Sequence, residues 1–314
     1  MKVLLIGTGY MSKEYVKVLK GLNVNFVVVG NSYEKSKQFK EETGIVPFIG
    51  GIEKFMENNK INDYFIINAV STEKLYQITI KLLENNAKNI LIEKPGGLFK
   101  KEIENLYNLS EEKKAHLYIA YNRRFYASTL KAKEIIESVG KVTSFNFEFT
   151  EWSHIIEKLN KPLKVLNKWF LANSTHVADL AFYLGGFPKE ISCFTSGSLD
   201  WHPSASIFTG SGVSENDALF SYFANWESAG RWSIEVLTNE FKLIFKPLEE
   251  LKIQKKGSVK EENIVLDNEL DVKFKPGLYK QVEAFFNNSK ELCTISQQLK
   301  NFKIYELIAN YGFN

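Results

Sequence analysis

The sequence predicts an α/β chain with two parts: an N-terminal doubly wound parallel sheet, then an α+β part built on a large, mostly antiparallel sheet. Three observations predict it. Apolar runs of strand length alternate with helical stretches over the first 120 residues. A glycine turn joins the first run to the first helix. From residue 143 onward, apolar residues instead recur at period two, in segments with no helix between several of them.

Residues 2–7 form a compact apolar run, read as a strand buried on both faces. It ends in Gly7-Thr8-Gly9-Tyr10-Met11-Ser12, after which Met11, Tyr15, Val18 and Leu22 recur at helical spacing. Residues 25–30 are a second strand, followed by a polar helix over 33–43. Residues 64–70 give another strand and Leu75, Ile78, Leu82 and Leu83 another helix. The strand over 89–92 ends in Glu93-Lys94-Pro95-Gly96-Gly97; a helix over 100–114 and a strand over 117–121 complete this part. Strands separated by helices imply parallel pairing through right-handed crossovers.

In 143–150, Phe145, Phe147 and Phe149 share one face and Ser144, Asn146 and Glu148 the other. Strands are expected over 219–227, 232–238, 241–246 and 251–254, with helices over 126–138, 174–184, 278–287 and 296–310. The aromatic rows Phe145/Phe147/Phe149 and Phe220/Tyr222/Trp226 read as the buried sheet face, leaving the other face as an oligomer interface if no helix covers it. The expected domains are 1–121 and 122–314. The segment 151–167 reads as an irregular polar loop, long enough to serve as a lid over a ligand.

At 314 residues the chain is long enough for two cores without a metal or disulfide staple. Lys+Arg 40 against Asp+Glu 37 leaves a net charge of +3, too balanced to call for nucleic acid or an anionic membrane as partner. Cys193 and Cys293 have no short-spaced partner, so no metal is expected and a reducing cytoplasm is. No apolar run reaches the ~18 residues of a membrane helix.

Three sites could carry chemistry. The Gly7-x-Gly9-x-x-Ser12 turn closes a strand and opens a helix, where backbone N–H groups can hold a dinucleotide diphosphate. An ordinary glycine turn is the alternative. At the end of the second strand stand Gly30-Asn31-Ser32, with no acid until Glu34 and with Lys35 and Lys37 nearby, which leans toward NADP over NAD. Lys94 follows a parallel strand, on the edge where such sheets bind ligands; from there an ammonium can stabilise an oxyanion. In Asn173-Ser174-Thr175-His176, Asn173 or Ser174 reads as a helix cap. That would put His176 in the first turn, where the dipole favours the neutral base, with Asp179 on the same face. A structural histidine bonded to Asp179 is the competing reading. His154 and His202 are expected in loops, as solvated side chains or substrate contacts.

Together the glycine turn, Glu93-Lys94-Pro95, Asn122-Arg123-Arg124-Phe125 and His176-x-x-Asp179 resemble the Gfo/Idh/MocA family of nicotinamide-dependent oxidoreductases, over essentially the whole chain. The resemblance implies a Rossmann dinucleotide-binding domain, and a C-terminal domain that binds substrate and forms homodimers or homotetramers through its sheet. It implies Lys94 and His176 as catalytic residues. Gly7, Thr8, Gly9, Tyr10, Met11, Asn31, Ser32, Ser71, Glu93, Lys94 and Asn122 would hold the cofactor, and Arg123, Asn173 and Asp179 the substrate. Ala172 stands where many members carry an aspartate. The implied activity is hydride transfer between nicotinamide and a carbinol or carbonyl of a sugar or sugar nucleotide. The alternatives are a non-catalytic dinucleotide-binding sensor or regulatory subunit, and a redox-type glycosidase that recycles its NAD.

Overall fold

The computed structural model describes residues 1–312. Two compact units make it up: Met1–Tyr121 with Lys273–Lys300, and Asn122–Val272 with the described residues from Asn301 on. The expected 122–314 domain therefore lacks a segment. Residues 273–300 pack with the first unit because the helix Leu278–Phe286 sets Phe285 and Phe286 edge-on to Phe65, each at 5.4 Å.

The first unit runs β1 (Lys2–Ile6), α1 (Tyr10–Gly21), β2 (Asn25–Gly30), α2 (Tyr33–Thr43), β3 (Phe48–Ile49), α3 (Gly51–Asn58), β4 (Tyr64–Asn68), α4 (Leu75–Glu84), β5 (Asn89–Glu93), α5 (Lys100–Lys113) and β6 (His116–Ala120). These six strands are parallel in the order β6-β5-β4-β1-β2-β3, and the strand Cys293–Thr294 adds antiparallel to β6. Val3, Leu4, Leu5, Ile66, Ile67, Ile90 and Leu91 have no solvent exposure, as expected of strands covered on both faces. Strand order reverses between β4 and β1, so the C-terminal ends of β1 and β4 border a topological switch point, with β5 next to β4. β3 was not foreseen, since a two-residue strand leaves no periodic signal, and α3 was missed although Ile52 and Phe55 stand at helical spacing.

The second unit begins with α6 (Ala127–Val139) and β7 (Ser144–Glu148), then the short α7 (Ser153–Ile156) and α8 (Leu163–Leu166), and α9 (Thr175–Gly185). Its sheet continues through β8 (Pro188–Ser196), β9 (Ile207–Ser214), β10 (Leu219–Asn225), β11 (Ser233–Leu237), β12 (Phe241–Phe245), β13 (Lys252–Lys255) and β14 (Glu261–Asn263). The order is β14-β13-β12-β11-β7-β10-β9-β8, antiparallel except where β7 meets β10. β8 and β9 escaped sequence reading because Ser, Thr and Gly dilute their alternation. Phe145, Phe147, Phe149, Phe220 and Tyr222 are buried on one face, with Phe145 and Phe147 edge-on to Phe182 of α9. On the opposite face Phe194, Thr209 and Phe223 form one cross-strand row, and Phe194, Phe223 and Leu219 are exposed. The 151–167 segment is not irregular throughout: α7 and α8 bury Ile156, Val165 and Leu166. No helix among the described residues is long and apolar enough to cross a membrane.

His202 corrects an expectation. It is fully buried, with Nδ1 2.7 Å from the Ala205 carbonyl and Nε2 2.8 Å from the Tyr311 hydroxyl. The Phe170 N–H donates to Tyr311 at 3.1 Å, so the hydroxyl is placed to donate to Nε2 while Nδ1–H donates to Ala205. Burial lowers the imidazole to about 4, against the partly offsetting Ala205 bond. The unfolded chain thus binds the proton first as pH falls below about 6.5. Stability should therefore fall between pH 6.5 and 4 by up to about 3 kcal/mol. Urea unfolding of wild type and His202→Gln across that range would show it: the wild-type slope should exceed the variant's, and equal slopes would contradict the assignment.

Candidate active site

The glycine turn is set by a close approach. Gly7 has φ +116°, and a Cβ there would lie 2.6 Å from the Ala69 carbonyl oxygen. Its N–H donates to the Val29 carbonyl at 2.9 Å and the Ala69 N–H to that of Ile6 at 2.9 Å, so the turn is tied to β2 and β4. Gly9 caps α1 with no side-chain bond, and the first turn holds no acid. The first N–H groups of α1 are thus left for a ligand, with the positive end of the helix dipole behind them. A Cβ built on Gly9 would meet nothing within 4 Å, which is the open approach a diphosphate needs. Ser12, in the third glycine's place, is buried and its hydroxyl reaches the Ala69 carbonyl at 3.5 Å, so the serine fits the turn. These residues fit a dinucleotide.

At the end of β2, Ser32 caps α2: its Oγ accepts the Lys35 N–H and donates to Glu34 Oε2 at 3.0 Å. Glu34's own backbone N–H and the Ser32 hydroxyl hold its carboxyl below the usual range. The lean toward NADP rested on there being no acid before Glu34; the capping geometry sets that carboxylate against Ser32. Ser71 follows β4 and donates to Glu73 at 2.5 Å.

Glu93 ends β5. It accepts the Tyr15 hydroxyl at 2.8 Å; burial raises its carboxyl, while Tyr15, Lys94 and Lys275 oppose the rise. Lys94 therefore has an acidic neighbour fixed from α1. The Lys94–Pro95 bond is cis, and the buried Gln298 donates to the Pro95 carbonyl at 2.9 Å and to the Tyr121 hydroxyl at 3.2 Å. Glu102 accepts the Leu98 N–H at 2.7 Å, so both ends of the Lys94 turn are tied down. Lys275 lies 5.5 Å from the Tyr10 ring, bringing a second cation to the glycine turn.

In the second unit the helix does not start where the sequence placed it. A π-helical turn, Phe170–Ser174, runs straight into α9, and Ser174 is itself helical with no side-chain cap bond. His176 is consequently past the first turn and gains little from the dipole. Asn173 and Ser174, expected as caps, donate instead to Glu151 Oε1, each at 2.8 Å. Glu151 is buried and its Oε2 accepts Arg231 Nη1 at 3.1 Å. Burial raises its carboxyl and these three donors oppose the rise. Asp179, expected at the substrate, has both oxygens engaged by Arg124, at 2.6 and 2.8 Å, and is sealed from solvent. This pair pins α9 to the turn Asn122–Phe125, in which Asn122 is buried. The His176 ring lies 6.3 Å from that of Trp232.

Glu151, Arg231 and Trp232 escaped sequence reading, as did Tyr15, Gln298 and Lys275. Only Glu151 left a usable trace, an acid directly after a strongly alternating strand.

The first unit, with its strand order, open glycine turn and edge lysine, has the Rossmann architecture common to dinucleotide-binding domains. Residues 1–121 match the family model described as "Oxidoreductase family, NAD-binding Rossmann fold". Over this segment the chain is similar to the Gfo/Idh/MocA family of NAD-binding oxidoreductases. Similar solved structures include UDP-N-acetylglucosamine 3-dehydrogenase from Acidithiobacillus ferrooxidans, 14% identical with TM-score 0.74 over 97% of this chain and 95% of that one. Levoglucosan dehydrogenase in complex with NADH and levoglucosan is 18% identical, TM-score 0.76, over 99% and 96%. An oxidoreductase from Thermotoga maritima is 19% identical, TM-score 0.77, over 98% and 95%. At these identities the likeness is one of fold. No curated protein matches the sequence.

Removing Glu151 would strand Asn173, Ser174 and Arg231 around an empty acceptor. Glu151→Ala should cost about 2–4 kcal/mol of unfolding free energy, discounted for the part-exposed Arg231, and Glu151→Gln clearly less. Chemical denaturation of both variants checks this; a loss below about 0.5 kcal/mol in the alanine variant would contradict the role given to the carboxylate.

Proposed function

We propose that the protein is an NAD(H)-dependent dehydrogenase or reductase acting on a carbinol or carbonyl of a sugar or sugar nucleotide. The observation that carries the reading is the uncapped, acid-free start of α1 at an open Gly9, with Lys94 held in a tied-down turn on the same sheet edge. The substrate class is supported by the names of similar structures, which include dehydrogenases of a sugar nucleotide and of levoglucosan. In this reading Gly7, Thr8, Gly9, Tyr10 and Met11 bind the diphosphate and Asn31 and Ser32 the adenosine ribose. Ser71, Glu93 and Asn122 complete the cofactor contacts. Glu34 favours NAD, because a carboxylate on Ser32 accepts a ribose hydroxyl and repels a 2′-phosphate.

The bound nicotinamide supplies the hydride acceptor or donor. Lys94 donates to the reacting oxygen and stabilises the charge that builds on it. His176 takes the carbinol proton in oxidation and returns it in reduction. Arg123 and Asn173 contact substrate, while Asp179 acts through Arg124 to hold α9 in place. The exposed face of β8, β9 and β10 pairs copies of the chain into a homodimer or homotetramer. The protein works in the cytoplasm, where its two free cysteines stay reduced.

A panel of sugars and nucleotide sugars with NAD, followed by nicotinamide absorbance, tests the reading. Wild type should reduce NAD with at least one of them, and Lys94→Ala and His176→Ala should each lower kcat about 100-fold or more while still binding cofactor. Variants as active as wild type would overturn the roles. Cofactor and sugar bound with no turnover would favour the sensor, and cofactor that stays bound through purification with no net reduction would favour the NAD-recycling glycosidase.

A further inference from the structure

Two guanidiniums in the second unit lie against one indole. Arg123 Cζ is 4.8 Å and Arg231 Cζ 4.6 Å from the Trp232 ring centre, and the His176 ring is 6.3 Å from the same indole. Like charges gathered on one ring repel, and burial adds to the cost. Burial lowers the Arg123 proton affinity most and Arg231 lowers it further, against Tyr126, Glu249 and Glu151.

The carboxylates nearby balance the charge but take few of the guanidinium N–H groups. Glu151 takes one Arg231 N–H and spends its other oxygen on Asn173 and Ser174, and Glu249 bonds the Tyr126 side chain. Among the described residues Arg123 makes one long bond, 3.4 Å to Asn122 Oδ1, and its buried Nε finds no hydrogen-bond partner. Among the described residues, most N–H donors of both groups therefore meet no acceptor. Arg231 is 43% exposed, so the cluster opens to solvent on its side. Stacking on Trp152 at 4.8 Å as well as on Trp232 restrains the Arg231 guanidinium before any ligand arrives.

We propose that Arg123 and Arg231 form an anion subsite beside His176, and that the substrate carries a carboxylate or a phosphate seated there. Planar, fixed guanidiniums with open N–H groups suit an oxyanion, which can accept from several of them at once, better than a neutral hydroxyl, which can accept from fewer. The inference deepens the proposed function and rests on His176 lying at the substrate, but its test can fail alone.

Calorimetric titration of glucuronic acid, glucose 1-phosphate and glucose into the free and the NADH-saturated protein decides it. At least one charged sugar should bind about 10- to 100-fold tighter than glucose. Which one does so separates carboxylate from phosphate. Arg231→Gln and Arg123→Gln should each erase most of that preference with NADH affinity unchanged, and Arg231→Lys should keep part of it. Added salt should weaken the charged sugar's binding to wild type and spare glucose, a reading that needs no variant to fold. Charged sugars that bind no tighter than glucose, or a preference indifferent to salt and to both substitutions, would overturn the subsite. Failure of NADH to bind would strike the proposed function and leave the charge preference, read in the free protein, standing.

Discussion

A side chain at position 7 would place its first carbon 2.6 Å from the Ala69 carbonyl oxygen. The first unit depends on that missing atom. Without it β1 can turn tightly against β4, and α1 can start at the sheet edge with its N–H groups uncovered. The same geometry lets Ser12 bury its hydroxyl against Ala69 and lets Tyr15, one turn on, reach Glu93 at the end of β5. A single steric constraint thus links the glycine turn to the segment that carries Lys94.

The second unit is organised around buried charge. Arg124 and Asp179 neutralise each other bidentately, and Glu151 gathers three donors. Such groups are costly to bury and more costly to unpair, so each fixes its neighbours firmly. The π-helical turn fits this pattern: it widens the helix where Asn173 and Ser174 must reach Glu151, and the Phe170 N–H finds its acceptor in Tyr311.

What could be read from the sequence was whatever a periodic or local signal encodes. The buried parallel strands, the Gly7–Gly9 turn, Lys94 after its strand and the Phe145/Phe147/Phe149 face are of that kind. The rest depends on meetings between distant residues. Nothing near Glu151 announces Arg231, 80 residues on, and nothing near Pro95 announces Gln298, 203 residues on. His202 looked solvated because its loop is polar, yet Tyr311, 109 residues away, folds over it. The cap expected at Ser174 failed for a similar reason: a distant carboxylate outcompeted the local backbone for its hydroxyl. At Ser32 the local bond won, and it carries Glu34 to the end of β2.

The claim on which the account most depends is that α1 receives the cofactor's diphosphate through an open Gly9. The direct measurement is a nicotinamide-fluorescence titration of wild type and Gly9→Asp with NADH and NADPH. Gly9 has φ −85° and free space around it, so aspartate fits and caps α1. The variant should match or exceed wild-type stability while its carboxylate repels the diphosphate. The account predicts that wild type binds NADH more tightly than NADPH, and that the variant loses NADH affinity by about 100-fold or more. Equal binding by the two proteins, or no binding of either cofactor by wild type, would contradict it.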